Sequence, residues 1–143
     1  FNKGFTKTNY LYNLNLALPE IRKSRQLILT EGYHEVWRSW EAGIRNIVGI
    51  MGCHLDNDGV QKRLIMKYSR DIILALDNDE AGVQGMMEIG KELEKFCRVR
   101  VVQVPAPYKD IGEIRDYELI RQTIREAIDF KTWQTLQKTL KQS

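Results

Sequence analysis

Two apolar runs in this sequence end in carboxylates. LILTEG, Leu27 to Gly32, closes on Glu31, and IILALDNDEAG, Ile72 to Gly82, closes on Asp77 and Asp79. A further acid, Asp110, follows the apolar run Val99 to Val104 across the loop PAPYKDIGEI. Several acids sharing one patch repel and raise one another's pKa, so their convergence is sensible chemistry when a cation neutralises them. Mg²⁺ is the natural candidate, because it prefers hard oxygen ligands and keeps waters that a phosphate can displace. The spacing Asp77-Asn78-Asp79 lets two carboxylates approach one ion, or two ions about 3.5 to 4 Å apart that clamp an in-line phosphoryl displacement. Glu31 would then act as general base or position the attacking hydroxyl, with Gly32 letting the backbone turn tightly beside it. A plainer reading makes Asp77 a turn residue, Asp79 the N-cap of the next helix, and Glu31 a solvated strand end. Glu35 taken alone is a helix-surface acid. The residues by themselves leave both readings open.

The elements that would position these acids alternate between short apolar runs and longer helical periodicities, the pattern of a parallel α/β sheet. Strands are expected at Gln26 to Thr30, Asn46 to Ile50, Ile72 to Leu76 and Val99 to Val104. Helices are expected from Tyr33 to Ala42, with Val36, Trp37 and Trp40 on one inward face, from Val60 to Tyr68, and from the DNDEAG turn to about Phe96. Gly43 suits a helix end, and Pro105 and Pro107 break regular structure after the last strand. From Asp116 onward, Leu119, Ile120, Ile124, Ala127 and Ile128 repeat at helical spacing, and Trp133, Leu136 and Leu140 continue after a weak break at Asp129 to Thr132. In a parallel sheet ligands bind outside the carboxyl ends of the strands, which is where the acids fall.

Length and composition narrow the class. The 143 residues, 43% apolar and 29% charged, correspond to one globular domain with at most a helical appendage, at about 100 to 200 residues per domain. No apolar run approaches the roughly 20 residues that span a bilayer, and the start FNKGFTKTNYLYNL lacks a signal-peptide core, so a cytoplasmic protein without membrane contact is expected. The chain begins at Phe1 rather than Met, as a piece of a longer protein would. Cys53 and Cys97 have no C-x-x-C partner, so neither zinc nor a disulfide framework is expected. His34 reads as packing or surface, and His54, beside Asp56 and Asp58, as a solvated polar loop rather than a metal ligand. The net charge of +3 permits a nucleic-acid partner without demanding one.

Together, LILTEGYHEV and IILALDNDEAG resemble the Toprim fold, whose pattern is a strand ending in Glu-Gly and a second ending in Asp-x-Asp. TEGYHEV further resembles the form found in DnaG-type bacterial and phage primases, as do LYNLNLALPEIRK before it, GIRNIVGIMG after the first helix and VRVVQVPAPYKDIGE at the close. The resemblance runs from about Phe1 to Glu113. It implies a primase-like lead-in over 1–25, a catalytic Toprim domain over 26–115 and a helical tail over 116–143 that belongs to a following subdomain. It makes Glu31 the general base or acid of nucleotidyl transfer, Asp77 and Asp79 the catalytic metal-binding pair, and Asp110 the first acid of an Asp-Pro-Asp loop. Glu35 stands where the family has Asp, which adds it to the metal set of Glu31, Asp77, Asp79 and Asp110. Gly112 stands where the loop's second Asp would be, a departure that bears on one metal site, and Cys53 replaces a small hydroxyl residue.

What this implies is a DNA-directed RNA polymerase of the primase type, making RNA primers on a single-stranded DNA template from ribonucleoside triphosphates, with two Mg²⁺ ions, Mn²⁺ substituting. A replicative helicase would be engaged through regions outside this chain, and the isolated chain is expected to be nearly inactive. Gly32, Lys67, Arg70 and Lys109 are the candidate nucleotide or nucleic-acid contacts; Arg22, Lys23, Arg25, Lys62 and Arg63 could add phosphate contacts. The other functions compatible with the sequence are a Toprim nuclease using the same acids to activate water, and a non-catalytic replication scaffold.

Overall fold

The computed structural model describes residues 11–142. Five strands form one sheet in the order β2-β1-β3-β4-β5: β1 (Gln26–Thr30), β2 (Ile47–Gly49), β3 (Asp71–Leu74), β4 (Arg98–Val101) and β5 (Ile128–Asp129). The first four are parallel, and β5 pairs antiparallel with β4. Helices α1 (Leu14–Ser24), α2 (Tyr33–Glu41), α3 (Val60–Tyr68), α4 (Glu80–Leu93), α5 (Tyr117–Arg125) and α6 (Phe130–Gln142) cover both faces. The mixed α/β architecture expected from the pattern is the one found, with the mostly parallel sheet and the helical end.

Strand alternation sorts the core into two layers. Leu27 and Leu29 point to one face, in register with Ile72 and Leu74 on β3 and Val99 and Val101 on β4, and bury against Ala17 and Ile21 of α1, Ile65 of α3, Ile89 and Leu93 of α4, and Trp133 of α6. Ile28 and Ile73 point to the other face, under Val36 of α2 and Ile120 and Ile124 of α5. A strand buried on both faces has no polar row to lose, so β1 and β3 read as continuous apolar runs.

One helix is added and two expectations are corrected. Leu14–Ser24, inside the lead-in and given no element by the sequence pattern, is a helix with Pro19 inside it; Ala17 and Ile21, four apart, are fully buried, and this packing outweighs the hydrogen bond that the proline removes. The weak break expected at Asp129 to Thr132 lies earlier, as the two-residue strand β5 at Ile128–Asp129, and α6 already starts at Phe130. Trp37 does not face inward. It is 57% exposed, its ring lies 5.7 Å from that of Tyr33, and its indole N–H donates to the Tyr12 hydroxyl at 2.6 Å, while the buried residues of α2 are Glu35, Val36 and Ser39.

A candidate metal centre at the strand ends

Because β1 and β3 are adjacent and parallel, their carboxyl ends open side by side. The main chain leaves β1 through Glu31 and passes β3 to Asp77, and the Asp77 N–H donates to Glu31 Oε1 at 3.2 Å. The loop after β4 folds back over this exit, held by Asn78 N–H donating to the Lys109 carbonyl at 2.6 Å, which places Asp110 beside Asp77. Asp110 then caps a 3-10 turn, Ile111–Glu113, by accepting from the Glu113 N–H at 3.0 Å. The first turn of α2 delivers Glu35 from the opposite side. Arg38, one turn on, fixes this helix to the same loop by donating to the carbonyls of Ile114 at 2.7 Å and Arg115 at 3.1 Å.

Glu35, Asp77 and Asp110 each bring a carboxylate oxygen within 4.8 Å of the other two. Glu35 is therefore not a helix-surface acid. It is 6% exposed, buried by the returning loop, a tertiary contact to which helical periodicity is blind. Burial, with the charges of Asp110 and Asp77, pushes its carboxyl up to about 7. Burial and the charges of Asp110 and Asp79 likewise raise Asp77 above the ordinary aspartate range, against a smaller lowering by Lys109. Glu31 is raised by its own burial and by Asp77. Among the described residues Asp77 Oδ1 is a buried oxygen without a hydrogen-bond partner.

The remaining candidate residues divide. Asp79 is the N-cap of α4, accepting from the Gly82 N–H at 2.7 Å, and its other oxygen lies 3.5 Å from Lys109 Nζ, which is also 4.0 Å from Asp77. Glu31, Asp79 and Lys109 thus rim the three-acid cluster. Gly32 is extended, at φ −136° and ψ −177°, so no tight turn requires a glycine there. Lys67 and Arg70 are elsewhere: they end α3 and precede β3, at the amino edge of the sheet, opposite the acids. His54 pairs with Glu88 at 3.2 Å and joins no metal-ligand group among the described residues. Gly82 was not singled out by its sequence, yet a Cβ there would lie 2.0 Å from the Asp77 carbonyl oxygen; a glycine five residues after a strand-end acid is the only trace of that close approach.

A profile of the Toprim domain matches residues 25–103. The chain belongs to the Toprim family. This Toprim domain is 34% identical over 115 residues to a DNA primase of Staphylococcus epidermidis, an alignment covering 80% of this chain and 19% of the primase. It is 35% identical over 103 residues to a Staphylococcus aureus DNA primase, covering 71% of this chain and 17% of that protein. The Toprim domain therefore spans about a fifth of the length of these curated relatives. Among solved structures it is similar to the Aquifex aeolicus primase, in a crystal structure of the zinc-binding and RNA polymerase domains, with a TM-score of 0.79, 28% identity, and coverage of 100% of this chain and 35% of that one. A DNA primase domain from Pseudomonas aeruginosa matches with a TM-score of 0.76 at 25% identity, over 96% of this chain and 44% of that one.

Toprim domains bind divalent metals, and the residues here fit one. Three carboxylates converge, burial and neighbouring charge raise the pKa values of Glu35 and Asp77, and Asp77 Oδ1 is buried without a donor. A divalent cation would relieve all three conditions together. The sign of the pH effect follows. A carboxyl at 4.5 in the unfolded chain and about 7 in the fold leaves stability intact below the lower value and erodes it as pH rises through the upper one. The chelated protein is expected to lose on the order of 2 kcal/mol, after allowance for solvent screening, between pH 5 and 8, and Mg²⁺ to restore it. Thermal melts with EDTA and with Mg²⁺ across that range check this; a chelated melting temperature that is flat in pH would contradict it.

Gly112 has a structural reason of its own. A Cβ at this position would lie 2.5 Å from His34 Cδ2, and a His34 ring nitrogen meets the Gly112 carbonyl at 3.1 Å. Gly112→Asp is expected to swing the ring out at a cost of about 1 kcal/mol without gain in metal affinity, whereas Gly112→Asp with His34→Ala admits the carboxylate. Isothermal titration of both variants with Mn²⁺ separates the two.

Proposed function

We propose that this chain is the catalytic Toprim portion of a DNA primase, within 26–115, with 116–143 leading into a following helical subdomain. The observation that carries this reading is the three-acid cluster at the β1–β3 exit, in a domain whose similar proteins are DNA primases. Glu35, Asp77 and Asp110 would hold Mg²⁺, or Mn²⁺ in its place, with Glu31 and Asp79 placed to serve a second ion. When bound, the metal neutralises charge on a phosphoryl group and favours ionisation of a hydroxyl.

The chain's own residues do the rest. Glu31, half-buried and raised above the ordinary glutamate range by burial and Asp77, accepts the proton of an attacking 3′-hydroxyl, and the Asp77 N–H fixes its carboxylate. Lys109, on the rim, meets the phosphates of an incoming ribonucleoside triphosphate. The 3-10 turn with its buried Ile111 and Gly112 and the first turn of α2 exclude water from the floor of the site and hold the acids in place before substrate arrives. Most of the grip on the single-stranded template, and the contact with a replicative helicase, come from parts of the parent protein beyond this fifth of its length.

Primer synthesis on single-stranded DNA tests the reading. The parent protein with Mg²⁺ is expected to make short RNA, and the isolated 143-residue chain to make almost none. Release of nucleotides from DNA in place of primer synthesis would support the nuclease, and neither activity would support the scaffold.

A further inference from the structure

The amino edge of the sheet carries a second charged surface, of opposite sign to the first. Helix α3 has Lys62, Arg63 and Lys67 and no acid in its nine residues; Arg63 and Lys67, four apart, share one side, and Arg70, just past the helix end, lines the same groove. A groove of about 520 Å³ runs between this side and Phe96, lined by Lys62, Arg63, Lys67 and Arg70 with no carboxylate. It shares Lys67 and Arg70 with an adjoining groove of about 530 Å³ that adds Arg25. The one acid there, Asp71, is already engaged by Arg100 at 3.2 Å and Arg98 at 3.8 Å. Among the described residues, Lys62 is the one of these five cations with a carboxylate partner, Glu92. Phe96, at 50% exposure, projects an aromatic ring into this basic setting, with Lys62 Nζ 5.3 Å from its centroid.

Cations lining a groove without neutralising acids attract a polyanion, and an exposed ring among them offers a stacking surface for a base. We infer that the groove between α3 and Phe96 is a single-stranded nucleic-acid contact separate from the acidic cluster, in which Arg25, Arg63, Lys67 and Arg70 meet successive phosphates and Phe96 stacks a base. An acidic protein segment would match the charge but has no use for the ring. The acids sit at the carboxyl ends of strands four to five residues long, so the two surfaces lie on opposite edges of the sheet. One strand would have to pass around the domain to touch both, and the groove therefore holds template or product away from the reacting end. The inference does not depend on the cluster being catalytic.

The experiment is fluorescence anisotropy of a labelled oligo(dT) strand with the 143-residue chain in EDTA, from 25 to 200 mM salt. With four phosphates engaged, log K is expected to fall with log salt at a slope of about −3. Lys67→Ala with Arg70→Ala should weaken binding at least about tenfold at low salt and reduce the slope by about 1 per cation removed. Phe96→Ala should weaken it by about five- to tenfold with the slope unchanged, since stacking carries no counterions. Arg115→Ala, an exposed cation just past the acidic loop at the other edge, should bind as the wild type does, and the EDTA keeps the test independent of the metal-site reading. Circular dichroism melts confirm folding, and Lys67→Gln with Arg70→Gln repeats the test with longer, neutral side chains. Binding unaltered in both double variants, or a poly-glutamate competitor that displaces the strand while Phe96→Ala has no effect, would overturn the inference.

Discussion

Asp77→Asn is expected to abolish tight divalent-cation binding and at the same time to raise the melting temperature of the metal-free protein. The two effects have one cause. Asp77 stands within reach of Glu35 and Asp110 in the three-acid group, and among the described residues its Oδ1 is buried without a hydrogen-bond partner. Removing its charge relieves the repulsion that helps to raise Glu35 and Glu31, and an amide can donate to Glu35 or Asp110; a gain of about 1 kcal/mol is expected. It would also remove one of the three proposed metal ligands. Loss of groups that only support ligands already costs about 10- to 100-fold in affinity, so at least about 100-fold is expected here. In the parent protein the same change should lower nucleotidyl transfer by roughly 10³-fold or more. Ordinary structural aspartates behave in the opposite way, so a loss of stability in the metal-free variant would count against a cation site.

Gly82→Ala should be among the most destabilising single-methyl changes in the molecule. The built Cβ would lie 2.0 Å from the Asp77 carbonyl oxygen and 2.8 Å from its carbonyl carbon, and backbone cannot swing aside as a side-chain tip can. Either the first turn of α4 lifts, breaking the cap from Asp79 to the Gly82 N–H, or the Asp77 peptide shifts and carries its carboxylate out of the cluster. Overpacking of this kind costs about 1 to 3 kcal/mol, and a lost cap adds about 1 kcal/mol. A urea melt reads the stability, and Mn²⁺ titration reads the site; both should fall. Ala at exposed Gln84, two residues on, should change neither.

The contrast between these positions shows what was legible in the sequence. The strands β1 to β4 and helix α3 announced themselves because their burial is local: apolar runs at strand length, or apolar residues at helical spacing, decide them. Helix α1 did not, since Pro19 and the asparagines Asn13 and Asn15 look like a loop, and only the burial of Ala17 and Ile21 against the sheet makes the segment helical. Two residues of β5 carry no period to detect. The acids at the strand exits were visible as acids after apolar runs, but the burial of Glu35 was not, because its cover comes from the loop after β4. On α2 hydrophobicity pointed the wrong way, placing Trp37 inside, where the fold buries Glu35 and Ser39 instead. Asp79 as an N-cap had a local signature and was anticipated as one of two readings. The position of Lys67 and Arg70 away from the acids follows from the sheet's direction, since residues that precede a parallel strand lie opposite those that follow it.

The most direct test of the metal centre is an amide NMR titration with substoichiometric Mn²⁺, comparing the wild-type chain with Asp77→Asn. The account predicts paramagnetic broadening confined to amides around Glu35, Asp77 and Asp110, absent around Lys67 and Arg70, and lost in the variant. Broadening spread over the surface acids, or unchanged by the substitution, would show that these carboxylates are strand exits and caps and would contradict a preformed cation site.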